Sequence, residues 1–132
     1  MKYTEFVKLV RQRGRLDSDL QAERAIEATL KTLAQRLYNG EIDHLVAQLP
    51  KEVEGYLTER KPKKLLNLDE FYEYVSQRES VGYPEVRQHA RAVMSAVVQT
   101  VSPGELENVL DELPDEFTEL FTLGVGDEYR DL

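Results

Sequence analysis

Two histidines and 25 Asp/Glu residues are the groups with which this 132-residue chain could move protons or hold a metal ion. His44 stands between Ile42 and Leu45, and His89 lies three residues past Val86 and four before Val93. A zinc site takes three or four closely spaced ligands. The chain has no HExxH motif and no histidine cluster, and Glu23 or Asp43 would have to serve as co-ligands, so both histidines read as residues bordering a helical core. Glu23 and Glu27 share a helix face at i, i+4, as do Asp111 and Asp115 nominally, although Pro114 interrupts the second pair. Paired carboxylates can do acid–base work or bind a hard cation. Neither pair has an EF-hand loop, a glycine turn or a Glu-x-x-His partner, and both read as solvated surface.

Nucleophilic and phosphate-binding signatures are missing as well. No GxSxG elbow, P-loop or GxGxxG occurs, and Gly124-Val-Gly126 is too short to cradle a phosphate. The absence of cysteine excludes disulfides and thiolate chemistry. No catalytic, cofactor-binding or metal-binding residue is assigned, no cofactor is expected, and the residue inventory argues against an enzyme.

Charge is unevenly distributed. The net charge is −8, yet residues 1–64 carry 13 Lys/Arg against 10 Asp/Glu, whereas residues 104–132 carry 1 against 10. The halves divided after Lys64 therefore stand at +3 and −11. Nucleic-acid binding needs a basic footprint over the molecule and is not expected. Head-to-tail self-association or docking on a charged protein partner is compatible with the split. Two basic clusters, Arg11/Arg13/Arg15 and Arg60/Lys61/Lys63/Lys64, would form a local anion-binding patch if the fold brought them together. Each also has an ordinary explanation, since cations complement a helix C-terminus and linkers are commonly charged.

The elements that must position these groups are helices, and they occur twice. Phe6, Val10 and Gln12-Arg13 recur 65 residues later as Phe71, Val75 and Gln77-Arg78. From the second helix onward the offset is 64: Ala22, Ile26, Leu30, Leu33 and Leu37 fall on Val86, Ala90, Met94, Val97 and Val101. Gly40-Glu41 falls on Gly104-Glu105, and Leu49-Pro50 on Leu113-Pro114. The one-residue slip lies between Leu16 and Ala22, where a turn is expected and an insertion is tolerated.

Periodicity and caps predict four helices per copy. In the first copy they lie near 3–13, with Gly14 as a left-handed stop; near 19–38, opened by Ser18 with Gln21 as capping partner; near 41–48; and after Pro50, carrying Val53, Tyr56 and Leu57. In the second copy, Asn67 with Glu70 caps a helix over 68–79, Pro84 opens one over 84–101, Ser102-Pro103 opens the next, and Leu113-Pro114 the last. The fold class is all-α, a helical bundle of two pseudo-symmetric tandem repeats of about four helices each. Residues 1–58 form the first repeat, 59–67 a basic exposed linker, 68–123 the second repeat, and 124–132 a flexible tail. Each unit alone is short of core, so the repeats are expected to pack as one compact unit.

Several stretches resemble the bacterial DUF2267 family of uncharacterised proteins. They are Tyr3-Thr-Glu-Phe6, Ala22-Glu-Arg-Ala25 through Thr29-Leu30, Gly40-Glu41, Ala47-Gln-Leu-Pro50 and Leu68-Asp-Glu-Phe71, followed by His89-Ala-Arg-Ala-Val93, Pro103-Gly-Glu105, Leu113-Pro114 and Glu119-Leu-Phe121. The likeness spans about residues 1–123. It implies an all-helical tandem-repeat fold and carries over no activity, cofactor or catalytic residue. Tyr83 departs from the small polar cap expected before the proline.

No run approaches the roughly 18 apolar residues of a membrane span, and the segment from Met1 to Phe6 has no secretory character. A cytoplasmic location and no membrane partner are therefore expected. The leading functional expectation is a non-catalytic helical protein-interaction or regulatory module. The alternative is a small-molecule or anion-binding protein using the seam between the repeats, lined by Tyr56, Tyr72 and the basic linker. A wide exposed apolar patch would favour the first, and a large preformed pocket with convergent polar groups the second.

Overall fold

The chain folds as α1 (Tyr3–Gly14), α2 (Asp19–Arg36), α3 (Asn39–Gln48), a 3-10 turn (Lys51–Val53) running into α4 (Glu54–Thr58), α5 (Leu68–Glu79), α6 (Glu85–Thr100), α7 (Pro103–Asp111) and a closing 3-10 helix (Asp115–Phe121). This computed structural model describes residues 1–59 and 61–122, and no strand occurs among them. Arg60 and the segment 124–132, expected as a tail, lie outside the described residues.

Side-chain caps set three of the helix starts. Ser18 Oγ accepts from Gln21 N at 3.2 Å, and Gln21 Oε1 accepts from Asp17 N at 2.9 Å. Asn67 and Glu70 form a full capping box, each side chain accepting from the other's backbone N–H. At α7, Pro103 occupies the first position and Ser102 Oγ accepts from Glu105 N at 3.2 Å. α6 begins at Glu85 with no side-chain cap, in keeping with Tyr83 and Pro84 at its start.

The stop of α1 differs from the expectation. Gly14 is the last helical residue, and Arg15 takes the left-handed conformation with φ 54°. A Cβ at position 14 would lie 3.2 Å from Leu16 Cδ1, a close approach, and 3.4 Å from Ala92 Cβ on α6, an ordinary contact distance. Ser80, after α5, repeats the left-handed cap with φ 62°. The element after Leu113-Pro114 is a 3-10 helix rather than an α-helix.

Packing interleaves the halves. α1 lies on α6 and α2, α5 lies on α2 and α6, and α3 meets α7. The fully buried residues Phe6, Ile26, Leu30 and Leu33 from the first half join Phe71, Val93, Met94 and Phe117 from the second in one apolar cluster. Phe71 and Phe117 meet edge-on at 5.7 Å. Burial of this surface is the main stabilising term.

The segment between the halves is exposed at Lys61 to Leu65, buried at Leu66, and docked on α2. Lys64 N donates to Gln35 O, Gln35 Nε2 donates to Pro62 O, Lys63 Nζ donates to Ala34 O, and Arg36 Nε donates to Leu66 O, all at 2.7–3.0 Å. The first and third of these bonds occupy carbonyls that the end of α2 would otherwise leave open, and the other two satisfy carbonyls of the segment itself.

Candidate functional site

Two arginines tie the halves together above this core. Arg13, on α1, donates to Ser95 Oγ and, at 2.9 Å, to Gln99 Oε1 on α6. Arg78, on α5, donates to Thr32 Oγ1 at 2.7 Å and Gln35 Oε1 at 2.9 Å on α2. Burial lowers the Arg78 pKa from its ordinary value, while Glu59 and Tyr74 oppose the shift.

Below Arg78, α5 ends in Glu79, which is 8% exposed. A carboxylate at a helix C-terminus opposes the helix dipole, and here His89 of α6 answers it: His89 Nδ1 is hydrogen-bonded to Glu79 Oε2. Glu79 Oε1 is buried with no hydrogen-bond partner among the described residues. Two adjoining clefts open over this pair. One, of about 440 Å³, has Arg24, Lys31, Lys61 and Arg78 in its wall together with Glu27, Glu79 and Ser80. The other, of about 310 Å³, has Arg15, Arg24, Gln21 and His89 together with Asp17, Glu79 and Ser80. Arg15 and Lys61, from the two basic clusters, thus reach neighbouring clefts, while Arg11 turns to Asp19 and Arg13 to α6. Arg24 makes no ion pair among the described residues. A third cleft of about 490 Å³, beside α3 and α4, has its cations engaged, Lys63 with Ala34 O and Lys61 with Glu59.

The second cluster lies where α3 meets α7. Glu41 and Glu105 are each the third residue of their helix, the position from which Glu70 reaches back to the Asn67 amide. Neither does so. The cap amides are covered from the opposite half instead: Tyr38 N donates to Glu112 Oε1 at 2.9 Å, and Ser102 N donates to Gln48 Oε1 at 2.7 Å. Released from capping, the two carboxylates face each other. Their Oε2 atoms are buried without hydrogen-bond partners among the described residues. His44, one turn after Glu41, brings Nδ1 to 3.5 Å from Glu41 Oε2 and 3.9 Å from Glu105 Oε1. Burial, reinforced by Glu41, pushes the Glu105 carboxyl up to about 7, with Asn108 opposing.

The histidines therefore belong to different clusters. His89 borders the core, as expected; the His44 side chain is 64% exposed. The candidate carboxylate pairs do not form sites: Glu27 binds Lys31 at 2.7 Å, Glu23 interacts with Tyr3, and Asp111 and Asp115 fall in separate elements. Tyr72 is buried, donates to Glu119 Oε2 at 2.7 Å, and has its pKa raised by burial and by Glu119. It lines none of the three clefts described above, and Tyr56 packs beside Lys31 outside their walls. Sequence reading missed Glu41, Glu79 and Glu105. The signal for the first was legible, since Glu41-Ile-Asp-His44 has the i, i+3 spacing that puts a carboxylate and an imidazole on one helix face.

Among the described residues no helix is long and apolar enough to cross a membrane. No curated protein in the comparison matches the chain. The family model described as "Uncharacterized conserved protein (DUF2267)" matches residues 3–120, and the chain, with its helices running through that whole span, belongs to this family.

Proposed function

We propose that the protein is a non-catalytic helical module that binds a small hydrophilic anion in the adjoining clefts between its halves. One observation carries this reading: the buried Glu79 Oε1 has no hydrogen-bond partner among the described residues, and Glu79 lies in the wall of two clefts that Arg24 also lines. An unpaired buried acceptor is costly, and a ligand hydroxyl or amino group would satisfy it. Guanidinium groups beside it suit a carboxylate or phosphate. The fitting ligand is therefore an anion that also carries a hydrogen-bond donor, such as an amino acid, a hydroxy acid or a sugar phosphate. The large exposed apolar residues, Met1, Leu20, Tyr38, Leu65 and Tyr83, are scattered along the chain. The protein-docking reading rests instead on the split of charge between the halves.

The halves are read as two copies of one unit related by an approximate two-fold axis. Support comes from pairs at the repeat offsets: Arg13 with Gln99 and Arg78 with Gln35, and Tyr38 with Glu112 and Ser102 with Gln48. The ligand clefts are where this symmetry fails, because Glu79 and His89 align with Gly14 and Ala25.

Isothermal titration with representative amino acids, hydroxy acids and sugar phosphates tests the reading. Saturable binding of one class is expected, weakened about tenfold or more by Arg24→Ala and by Glu79→Gln. Binding indifferent to both substitutions, or no binding across the three classes, would overturn it. Docking through charge predicts self-association that salt abolishes; a strict monomer in low-salt sedimentation would remove it.

A further inference from the structure

We propose that Glu41, His44 and Glu105 form a binding site for one divalent first-row transition-metal ion of the zinc class. The donor set is two carboxylates and one imidazole, whose ligand atoms all lie within 4.8 Å of one another. Glu41 and His44 project from one face of α3, and Glu105 enters from the first turn of α7. Two features separate this cluster from an ordinary acidic surface. Glu105 is 5% exposed, and its Oε2 is buried without a hydrogen-bond partner among the described residues, as is Glu41 Oε2. The usual task of a glutamate in this helical position has also been removed, since Gln48 and Glu112 cover the cap amides.

Two buried carboxylates face to face carry repulsion that a shared proton or a cation must offset. His44 decides which cation fits. Mg²⁺ and Ca²⁺ prefer oxygen ligands, whereas an imidazole with two carboxylates suits zinc and its neighbours. In a tetrahedral zinc site with bonds of about 2.0–2.1 Å, ligand atoms lie about 3.3 Å apart. The His44 distances of 3.5 and 3.9 Å exceed that by a few tenths, which its exposed ring can close by turning. The same exposure leaves solvent access for a water as fourth ligand. This site is separate from the ligand clefts and does not depend on them.

The test is zinc titration of the full chain after chelator treatment, by calorimetry and by competition with a zinc-binding dye. One zinc ion per chain is expected, with the His44 imidazole ¹⁵N resonances shifting on binding. Glu105→Gln should weaken affinity about 100-fold and His44→Ala about tenfold or more, while Arg24→Ala should leave it unchanged. Glu105→Gln preserves side-chain shape and relieves repulsion, and His44 is exposed, so both variants are expected to fold. Equal zinc affinity in wild type and both variants would overturn the proposal, as would failure to bind one equivalent, or an equally strong response to Mg²⁺.

Discussion

Glu79 and Glu105 are both buried carboxylates near helix ends, one closing α5 and one opening α7, yet they face opposite chemistry. Glu79 meets an imidazole, and the pair fixes the junction between α5 and α6. Glu105 meets a second carboxylate, and the helix starts around it are held by Gln48 and Glu112 rather than by Glu105 itself. The difference separates two uses of a buried charge. A carboxylate hydrogen-bonded to an imidazole belongs to the architecture, whereas a like-charge pair is a cost that the fold carries and that a proton or cation offsets.

The largest expected effect breaks the first pair alone. His89→Ala leaves Glu79 as a buried carboxylate without its partner, and such losses cost about 3 kcal/mol. Urea unfolding should show the deficit, and the double variant Glu79→Ala/His89→Ala should recover part of it. Equal destabilisation by the single and double variants would show that His89 acts through packing, not charge. Glu105→Gln offers the contrast, since it should cause no comparable loss above pH 7.

Next come the arginine ties. Arg78→Ala removes two charge-assisted bonds in a partly buried setting and should cost about 2 kcal/mol. Arg13→Ala removes its counterpart, which reaches an exposed Gln99 bond, and should cost about 1 kcal/mol. Inversion of that order in matched urea titrations would contradict the burial argument.

The pH dependence of the like-charge pair follows in size. Its folded-state pKa, near 7, exceeds the ordinary 4.5, so the folded chain holds a proton that the unfolded chain has released. Stability therefore falls as pH rises from about 4.5 to about 7, by about 1.5 kcal/mol after allowance for coupling. Glu105→Gln should remove that slope. Glu119 acts in the opposite sense. Arg87, and secondarily Tyr72, lower its pKa, so its stabilisation is present above the ordinary value and is lost as pH falls below it. The two windows do not overlap, and urea titrations at about pH 3, 4.5 and 7.5 on wild type and Glu105→Gln should separate them.

Much of the fold was legible because it rests on local rules. Ser18-Gln21, Asn67-Glu70 and Ser102-Glu105 opened helices where caps predict, and the stripe from Ala22 to Leu37 is fully buried. The candidate sites were less legible because their partners are distant in sequence. Glu41 and Glu105 were visible as a repeated Gly-Glu pair, yet periodicity does not reveal that they meet. Gly14 misled by one position: a glycine at a helix end suggests a left-handed turn, while the left-handed residue is Arg15. Glu79, the last residue of the helix over 68–79, drew no reading because its partner His89 lies on another helix.

The smallest effect sharpens the comparison at the helix starts that carry the like-charge pair. Tyr38 and Ser102 precede α3 and α7 with nearly the same backbone, φ −73° and ψ 154° against φ −68° and ψ 154°. Ser102 supplies a hydroxyl to the Glu105 amide, whereas Tyr38 offers no cap. Tyr38 is 67% exposed, so its replacement removes little buried surface. Tyr38→Ser should place a hydroxyl in reach of the Glu41 amide and stabilise the chain by about 0.5 kcal/mol, while Ser102→Ala should cost about 1 kcal/mol. Paired urea titrations would read both. A loss on Tyr38→Ser would mean that the tyrosine ring itself anchors this start, and the two ends of the Glu41–Glu105 contact would then differ in more than their caps.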